Sequence, residues 1–355
     1  MGRWYFDGLL FLPIFFLLGA SLIMLHSMNQ DIFVSQCVFL VLSVIVFFVI
    51  QLFDVREIAA RSWGIYAMAL LFLFILSFLG IASRGAVRWF SIGNYSIQIS
   101  EILKPFFALW LAQLLVHKEK NLKTLLTTCL LAFPIIFMVY REPDLGSALV
   151  YVFAMLILFV VMGFPFKYFA IGIGSLAVLS PILWHFLHDY QRERLVNFFS
   201  TNHDPLGSSY NSIQSMIAVG SGQWWGRGVG VGTQSMLRFL PERHTDFMFA
   251  SYSEATGFIG ATLVLVAVLL YLWRISSLAR SASDQFVFYF LTLTFGFLFV
   301  QSVVNVGMNI GVLPIVGITL PFFSYGGSSL LTSTIFLGFA TKLISSEEKS
   351  LVEIR

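Results

Sequence analysis

The feature that most constrains this chain is a succession of apolar runs, each about as long as a membrane is thick. A helical span takes about 20 apolar residues, and such runs cover roughly 6–27, 32–52, 63–81, 100–117, 124–141, 144–163, 166–187, 247–272, 286–309 and 315–343. Only helices or closed barrels satisfy their backbone in lipid. The runs therefore predict an all-α polytopic membrane protein with about ten transmembrane helices in a single domain covering 1–355. Composition agrees, with 58% of the 355 residues hydrophobic and 11% charged, against about a quarter charged in a soluble domain. The net charge of +3 gives no basis for a nucleic-acid partner. The first run is too long for a signal peptide and reads as a retained span, and Phe6 stands where myristoylation needs a hydroxyl. Cys37 and Cys129 lie inside apolar runs and read as small core residues.

Between the fifth and sixth spans stands Arg141-Glu142-Pro143-Asp144, where Pro143 cannot continue a helix without losing a bond. Orientation follows from cations in short loops. With the N-terminus inside, Arg3, Arg56, Arg61, Lys118, Lys120, Lys123, Lys167, Arg274, Arg280, Lys342, Lys349 and Arg355 are cytoplasmic. Only Arg84, Arg88 and Arg141 fall in short outside loops, so both termini are expected inside.

A long outside segment, about 188–246, far exceeds an ordinary helix connection of roughly 2–8 residues. It holds Tyr190-Gln-Arg-Glu-Arg194, a glycine-rich stretch from Gly220 to Gly232 with Trp224 and Trp225, and Leu240-Pro-Glu-Arg-His-Thr-Asp246. Arginines among glycines and aromatics suit a surface that grips sugars and phosphates; a mobile loop with interfacial tryptophans is the plainer reading.

Several charges sit where a bilayer disfavours them, at a cost of roughly 2.5–3.5 kcal/mol each at its centre. Glu101 and Lys104 share a face of the fourth span, Asp144 opens the sixth, and the step 246, 250, 254 puts Asp246 and Glu254 on one face of the eighth. An outward-opening polar cavity would collect them all. A structural ion pair for Glu101 and Lys104, and helix caps for Asp144 and Asp246, are the competing readings. Near the end, Asn305-Val-Gly-Met-Asn309 precedes Ser324-Tyr-Gly-Gly-Ser328-Ser329. Gly326 and Gly327 inside an apolar run predict a broken helix that offers free N–H groups to an anion, or else close packing of helices.

Six segments in order resemble the SEDS family of shape, elongation, division and sporulation proteins. They are Gly85-Ala-Val-Arg-Trp89, Gln98-Ile-Ser-Glu-Ile-Leu-Lys104, Glu142-Pro-Asp-Leu-Gly146, Tyr190-Gln-Arg192, Leu240-Pro-Glu-Arg-His-Thr-Asp-Phe247 and Pro321-Phe-Phe-Ser-Tyr-Gly-Gly-Ser-Ser329. Arg243 before His244, and Val316-Gly317 after Pro314, resemble the elongation branch rather than the division branch. Ile99 replaces the family's usual proline, and Ala255 the second acid of a Glu-Glu pair.

The resemblance implies an inverting peptidoglycan glycosyltransferase that polymerises lipid II into β-1,4 glycan and releases undecaprenyl pyrophosphate, for elongation and rod shape. It implies Asp246 as catalytic base. A helix N-terminus would lower the pKa of that carboxylate, and crowding by Glu254 or partial burial would offset this. Arg88, Glu101, Lys104, Asp144, Arg192, Arg194, Arg243, Glu254, Ser324 and Ser328 are the expected substrate-binding residues. It further implies a class B penicillin-binding protein transpeptidase and the elongation machinery as partners, and a bacterial cytoplasmic (inner) membrane with the active site facing outside. No cluster has metal-ligand spacing, though a divalent cation, Mg or Mn, suits a pyrophosphate. A flippase or transporter for the same lipid, and a scaffold for a transpeptidase, are the alternatives.

Overall fold

The computed structural model describes residues 6–79, 81–83, 86–92, 95–142, 144–187, 192, 196 and 210–353, without the side chains of 77–79, 81–83, 86–92, 95, 183 and 348–353. Its helices are α1 (Gly8–Met28), α2 (Gln30–Leu52), α3 (Val55–Ala60), α4 (Ser62–Leu79), α5 (Ile99–Leu115), α6 (Leu122–Arg141), α7 (Leu145–Met162), α8 (Phe166–Phe186), α9 (Tyr210–Ser221), α10 (Thr233–Met236), α11 (Met248–Ser281), α12 (Gln285–Asn309) and α13 (Gly327–Glu353).

Polar residues at the ends of apolar runs set these boundaries. The Asp7 carboxylate accepts from Leu9 N at 3.0 Å and starts α1. Asn29 ends α1 and caps α2 by accepting from Asp31 N at 2.8 Å. Asn121 and Asp284 cap α6 and α12 in the same way. Each cap satisfies an amide that the first helical turn leaves without a partner.

Among the described residues, seven helices are long and apolar enough to cross a membrane: α1, α2, α6, α7, α11, α12 and α13. Their surroundings differ. α13 is 94% buried across its apolar window and α12 72%, so these two run through the centre, with α5 and α7 packed on them. α2 lies along α13, and α1 along α11. At the other extreme, none of the described residues of α8 is buried. Large apolar side chains such as Leu130, Val178 and Phe186 are exposed on α6 and α8. A surface of that kind is stable against lipid and aggregates in water.

Three parts depart from the reading by hydropathy. Three strands, β1 (Ile81–Ser83), β2 (Ala86–Ile92) and β3 (Tyr95–Gln98), form a small antiparallel sheet in the order β1-β2-β3. Phe90 pairs with Ile97 and Ile92 with Tyr95. The last apolar run is not helical from 315, because 310–326 form turns and irregular chain and α13 starts at Gly327. The eighth run continues well past 272, to Ser281. Finally, Cys37 and Cys129 are free and only partly buried.

Candidate active site

Asp246 stands in the turn before α11, so the helical step linking it to Glu254 does not exist; the face is interrupted at its first member. Two asparagines of α12 hold its main chain. Asn305 Nδ2 donates to Asp246 O at 2.9 Å and to Ile318 O at 2.7 Å. Asn309 Nδ2 also donates to Asp246 O at 2.9 Å, while Asn309 Oδ1 accepts from Ala250 N at 3.0 Å. Both asparagines are fully buried, and Asp246 is half-buried. Its carboxylate lies over Gly317, where an added Cβ would stand 3.4 Å from Oδ2. Gly317 has φ +73, in the region that favours glycine.

Gln301, Asn305 and Asn309 follow at intervals of four and therefore share one face of α12. Gln301 Nε2 donates to Glu101 Oε2 at 3.4 Å. Glu101 is ion-paired with Lys104, whose side chain is 0% exposed. One stripe of α12 thus aligns the Glu101–Lys104 pair with Asp246, one to two turns apart, about 6–12 Å along the axis. A third polar group lies at the start of α7. Asp144 caps that helix by accepting from Ser147 N at 2.9 Å, and its Oδ2 accepts from Gln98 Nε2 at 2.7 Å. Gln98 N donates to Ser328 Oγ at 2.8 Å, which ties the start of α5 to the start of α13. At Gly146 an added Cβ would meet Val316 O at 2.7 Å, so α7 abuts the same 316–318 segment that holds Asp246.

Other expected site residues serve the chain itself. Glu254 is completely buried and accepts from Gln234 N at 2.8 Å and Ser235 N at 2.9 Å, with Thr233 Oγ1 at 3.4 Å. Both of its carboxylate oxygens are thus engaged in capping α10. Arg192 donates to Trp184 O at 2.9 Å and His185 O at 2.8 Å, closing the C-terminal end of α8. Ser324 Oγ accepts from Leu320 N at 3.0 Å inside its own turn. Of the glycine pair, Gly327 serves close packing: an added Cβ there would lie 2.3 Å from Phe39 Cζ of α2. Arg194 lies outside the described residues, as do Tyr190, Gln191 and Pro143, and Arg88 is described only by its place in β2.

Arg243 is buried near Asp246 in the chain, and its main-chain carbonyl accepts from Ser251 Oγ at 3.0 Å. Burial, and after it the charge of Arg238, push its guanidinium below the ordinary arginine range. A desolvated cation gains most from an anionic partner. Tyr325 N donates to His244 O at 2.9 Å, fixing the turn from the other side.

Beyond the site, α11 is broken at Gly257, with φ +70. The break leaves helix amides and carbonyls without their usual partners, and residues 223–228 fill the gap. Arg227 N donates to Glu254 O at 2.9 Å and Gly228 N to Ala255 O at 2.9 Å, while Phe258 N donates to Gln223 O at 2.7 Å and Ile259 N to Trp224 O at 3.3 Å. This exchange brings two backbones so close that a Cβ at Gly257 would lie 2.3 Å from Gly226 N. The glycine-rich stretch is a fixed turn wedged into a helix.

Residues 3–349 match the FtsW/RodA/SpoVE cell cycle protein family. Over 276 residues, 76% of this chain and 75% of the other, the sequence is 37% identical to peptidoglycan glycosyltransferase MrdB of Escherichia coli K12. The fold superposes with a TM-score of 0.84 on a chain of a peptidoglycan synthase complex that coordinates polymerization and crosslinking, at 29% identity, covering 96% of this chain and 98% of that one. It superposes with a TM-score of 0.73 on the rod shape determining protein RodA of Thermus thermophilus, at 26% identity, covering 96% and 97%.

Proposed function

Because the chain belongs to the FtsW/RodA/SpoVE family, and is thereby a multi-pass membrane peptidoglycan glycosyltransferase of cell elongation, we propose that its substrate is lipid II and that Asp246 is the base of the transfer. The observation that carries this is the double anchoring of the Asp246 main chain by buried Asn305 and Asn309. A half-buried carboxylate on a fixed backbone suits proton abstraction, since a base must stay within hydrogen-bond reach of the hydroxyl it serves.

In the proposed step the 4-hydroxyl oxygen of the incoming sugar attacks the anomeric carbon of the growing chain. The new C–O bond forms as the bond to the pyrophosphate breaks, and the configuration inverts in a single displacement. Asp246 takes the hydroxyl proton. The polyprenyl pyrophosphate leaves with the bonding electrons and needs cations near its oxygens. Arg243, with its buried guanidinium, is the described cation best suited to that task. Arg88 and Arg194 remain assigned to the same task by resemblance. Lys104 is paired with Glu101 in the interior, and the pair is tied through Gln301 to the α12 stripe that anchors Asp246.

Among the described residues no three His, Cys, Asp or Glu side chains come together as a metal shell, and a divalent cation, Mg or Mn, would be held chiefly by the pyrophosphate itself. The cation distribution supports a site facing outward from the bacterial cytoplasmic membrane. Similarity to a chain of a polymerising and crosslinking complex supports a class B penicillin-binding protein as partner.

The test uses purified protein in liposomes with labelled lipid II. The unaltered chain is expected to give a ladder of glycan products, and Asp246→Ala none, with both eluting alike on gel filtration. A full ladder from Asp246→Ala removes the acid from the mechanism. Reorientation of the labelled lipid with no polymer from the unaltered chain marks a flippase.

A further inference from the structure

The turn at 222–231 has a fixed depth in the bilayer, which two helices set independently. On α11, seventeen residues separate Gly257 from Arg274, which is about 25 Å at the helical rise. On α1, twenty residues separate Asp7 from Ser27, about 30 Å. Arg274 Nε and Asp7 Oδ2 form an ion pair at 2.5 Å, so the two measurements start from one level. They end together as well, because the turn is bonded to α11 across Gly257 and a Cβ at Gly230 would stand 4.0 Å from Ser27 Cβ. A hydrocarbon core is about 30 Å thick. With the ion pair at one face of that core, the turn sits at the headgroup level of the other.

The side chains there match that level. Trp225 is 83% exposed and Trp224 65%. Trp224 packs edge-on against Phe258 of α11, centroids 5.1 Å apart, and Phe258 is itself exposed on the lipid-facing side. The indoles thus continue a surface that already faces lipid, at the depth where tryptophans gather. Beside them is an open cavity of about 290 Å³ lined by Ser221, Gln223, Trp224, Trp225 and Arg227. Arg227 uses its Nε on Ser221 O at 3.2 Å, and its two terminal nitrogens have no partner among the described residues.

We infer that this turn is a binding site for a membrane phospholipid, with the phosphodiester on the Arg227 guanidinium and the glycerol and upper acyl region against Trp224 and Trp225. One guanidinium matches the single charge of a phosphodiester, whereas a pyrophosphate carries more. The main-chain bonds across Gly257 hold the site in place before any lipid arrives. The assignment does not depend on Asp246 or on the transfer reaction.

Two measurements on the full chain test it. First, Trp225→Cys, with Cys37→Ala and Cys129→Ala, is spin-labelled in phospholipid liposomes, and its accessibility to oxygen and to an aqueous nickel chelate is compared with that of a label at exposed Glu119. The Trp225 label is expected to favour oxygen at least several-fold over the Glu119 label. Equal nickel access at the two positions, or shielding of Trp225 only after a transpeptidase partner is added, overturns the inference. Second, phosphatidylglycerol binding is titrated by native mass spectrometry. Arg227→Ala is expected to weaken the tightest site about fivefold, the effect of one cation on an anionic lipid. Unchanged binding, or Arg227-dependent displacement of that lipid by undecaprenyl pyrophosphate, overturns it.

Discussion

Asn305 Nδ2 lies 2.9 Å from the main-chain oxygen of Asp246, and this bond, shared with Ile318 O at 2.7 Å, locks the turn before α11 to the irregular chain before α13. The acid is positioned through its backbone, by two amide hydrogen bonds to its main-chain oxygen. Catalysis tolerates little misplacement, since an error of 1 Å can change a rate about a hundredfold.

Asn305→Ala is therefore expected to lower kcat by on the order of 10–100-fold while KM for lipid II changes little. Asn309→Ala should behave alike. The measurement is steady-state polymerisation by both variants, with thermal unfolding in detergent alongside. A change confined to KM, or none, would show that the asparagines do not position the acid.

Glu254 separates structure from chemistry. Removing a buried carboxylate that accepts two amide bonds leaves those amides without partners, at a cost of about 2–4 kcal/mol. Glu254→Ala is expected to lower the melting temperature and expose 222–237 to protease, whereas Glu254→Gln keeps an acceptor and loses less. Equal cleavage of both variants and the unaltered chain would contradict the capping role.

The Glu101–Lys104 pair is buried, so each charge needs the other. Lys104→Met alone leaves an uncompensated carboxylate and is expected to cost about 3–5 kcal/mol. The Glu101→Leu, Lys104→Met double variant should recover much of that stability. Strict additivity in the double-mutant cycle would contradict direct coupling.

Gly257 and Gly174 form a contrast. A side chain at Gly257 meets backbone at 2.3 Å with φ +70, so Gly257→Ala is expected to destabilise by several kcal/mol, on the order of 3 or more. At Gly174, inside α8, a Cβ has no neighbour within 4 Å, and Gly174→Ala is expected to be neutral or to stabilise by up to about 1 kcal/mol. Thermal unfolding of the two variants side by side reads the difference.

What was legible in the sequence was whatever apolar length and charge placement alone decide. Among the described residues, helices of 17 residues or more overlap each apolar run, and seven of them are long and apolar enough to cross a membrane, because a backbone in lipid has few other options. Asp144 at a helix start and the Glu101–Lys104 pair were readable as local spacings. The sheet at 81–98 was not, since its strands are short and lie between spans. Nor was the partner of Glu254, which comes from a turn about twenty residues away. Nor were the carbonyls at the end of α8 that accept from Arg192 Nε and Nη2. One signal was present and unused: Gln301, Asn305 and Asn309 repeat every four residues inside an apolar helix, where three aligned amides mark a polar seam.

The broken helix carries a consequence for biogenesis. Residues 223–228 leave the ribosome before Gly257, so the patch precedes the gap that it closes. α11 can enter the bilayer with its interrupted ladder already covered, provided that the turn stays on the side where it was delivered. A circular permutation that placed the turn after the helix would preserve every contact in the finished molecule and still force uncovered amides through hydrocarbon during insertion. The order of segments in this chain is thus part of how it reaches the membrane.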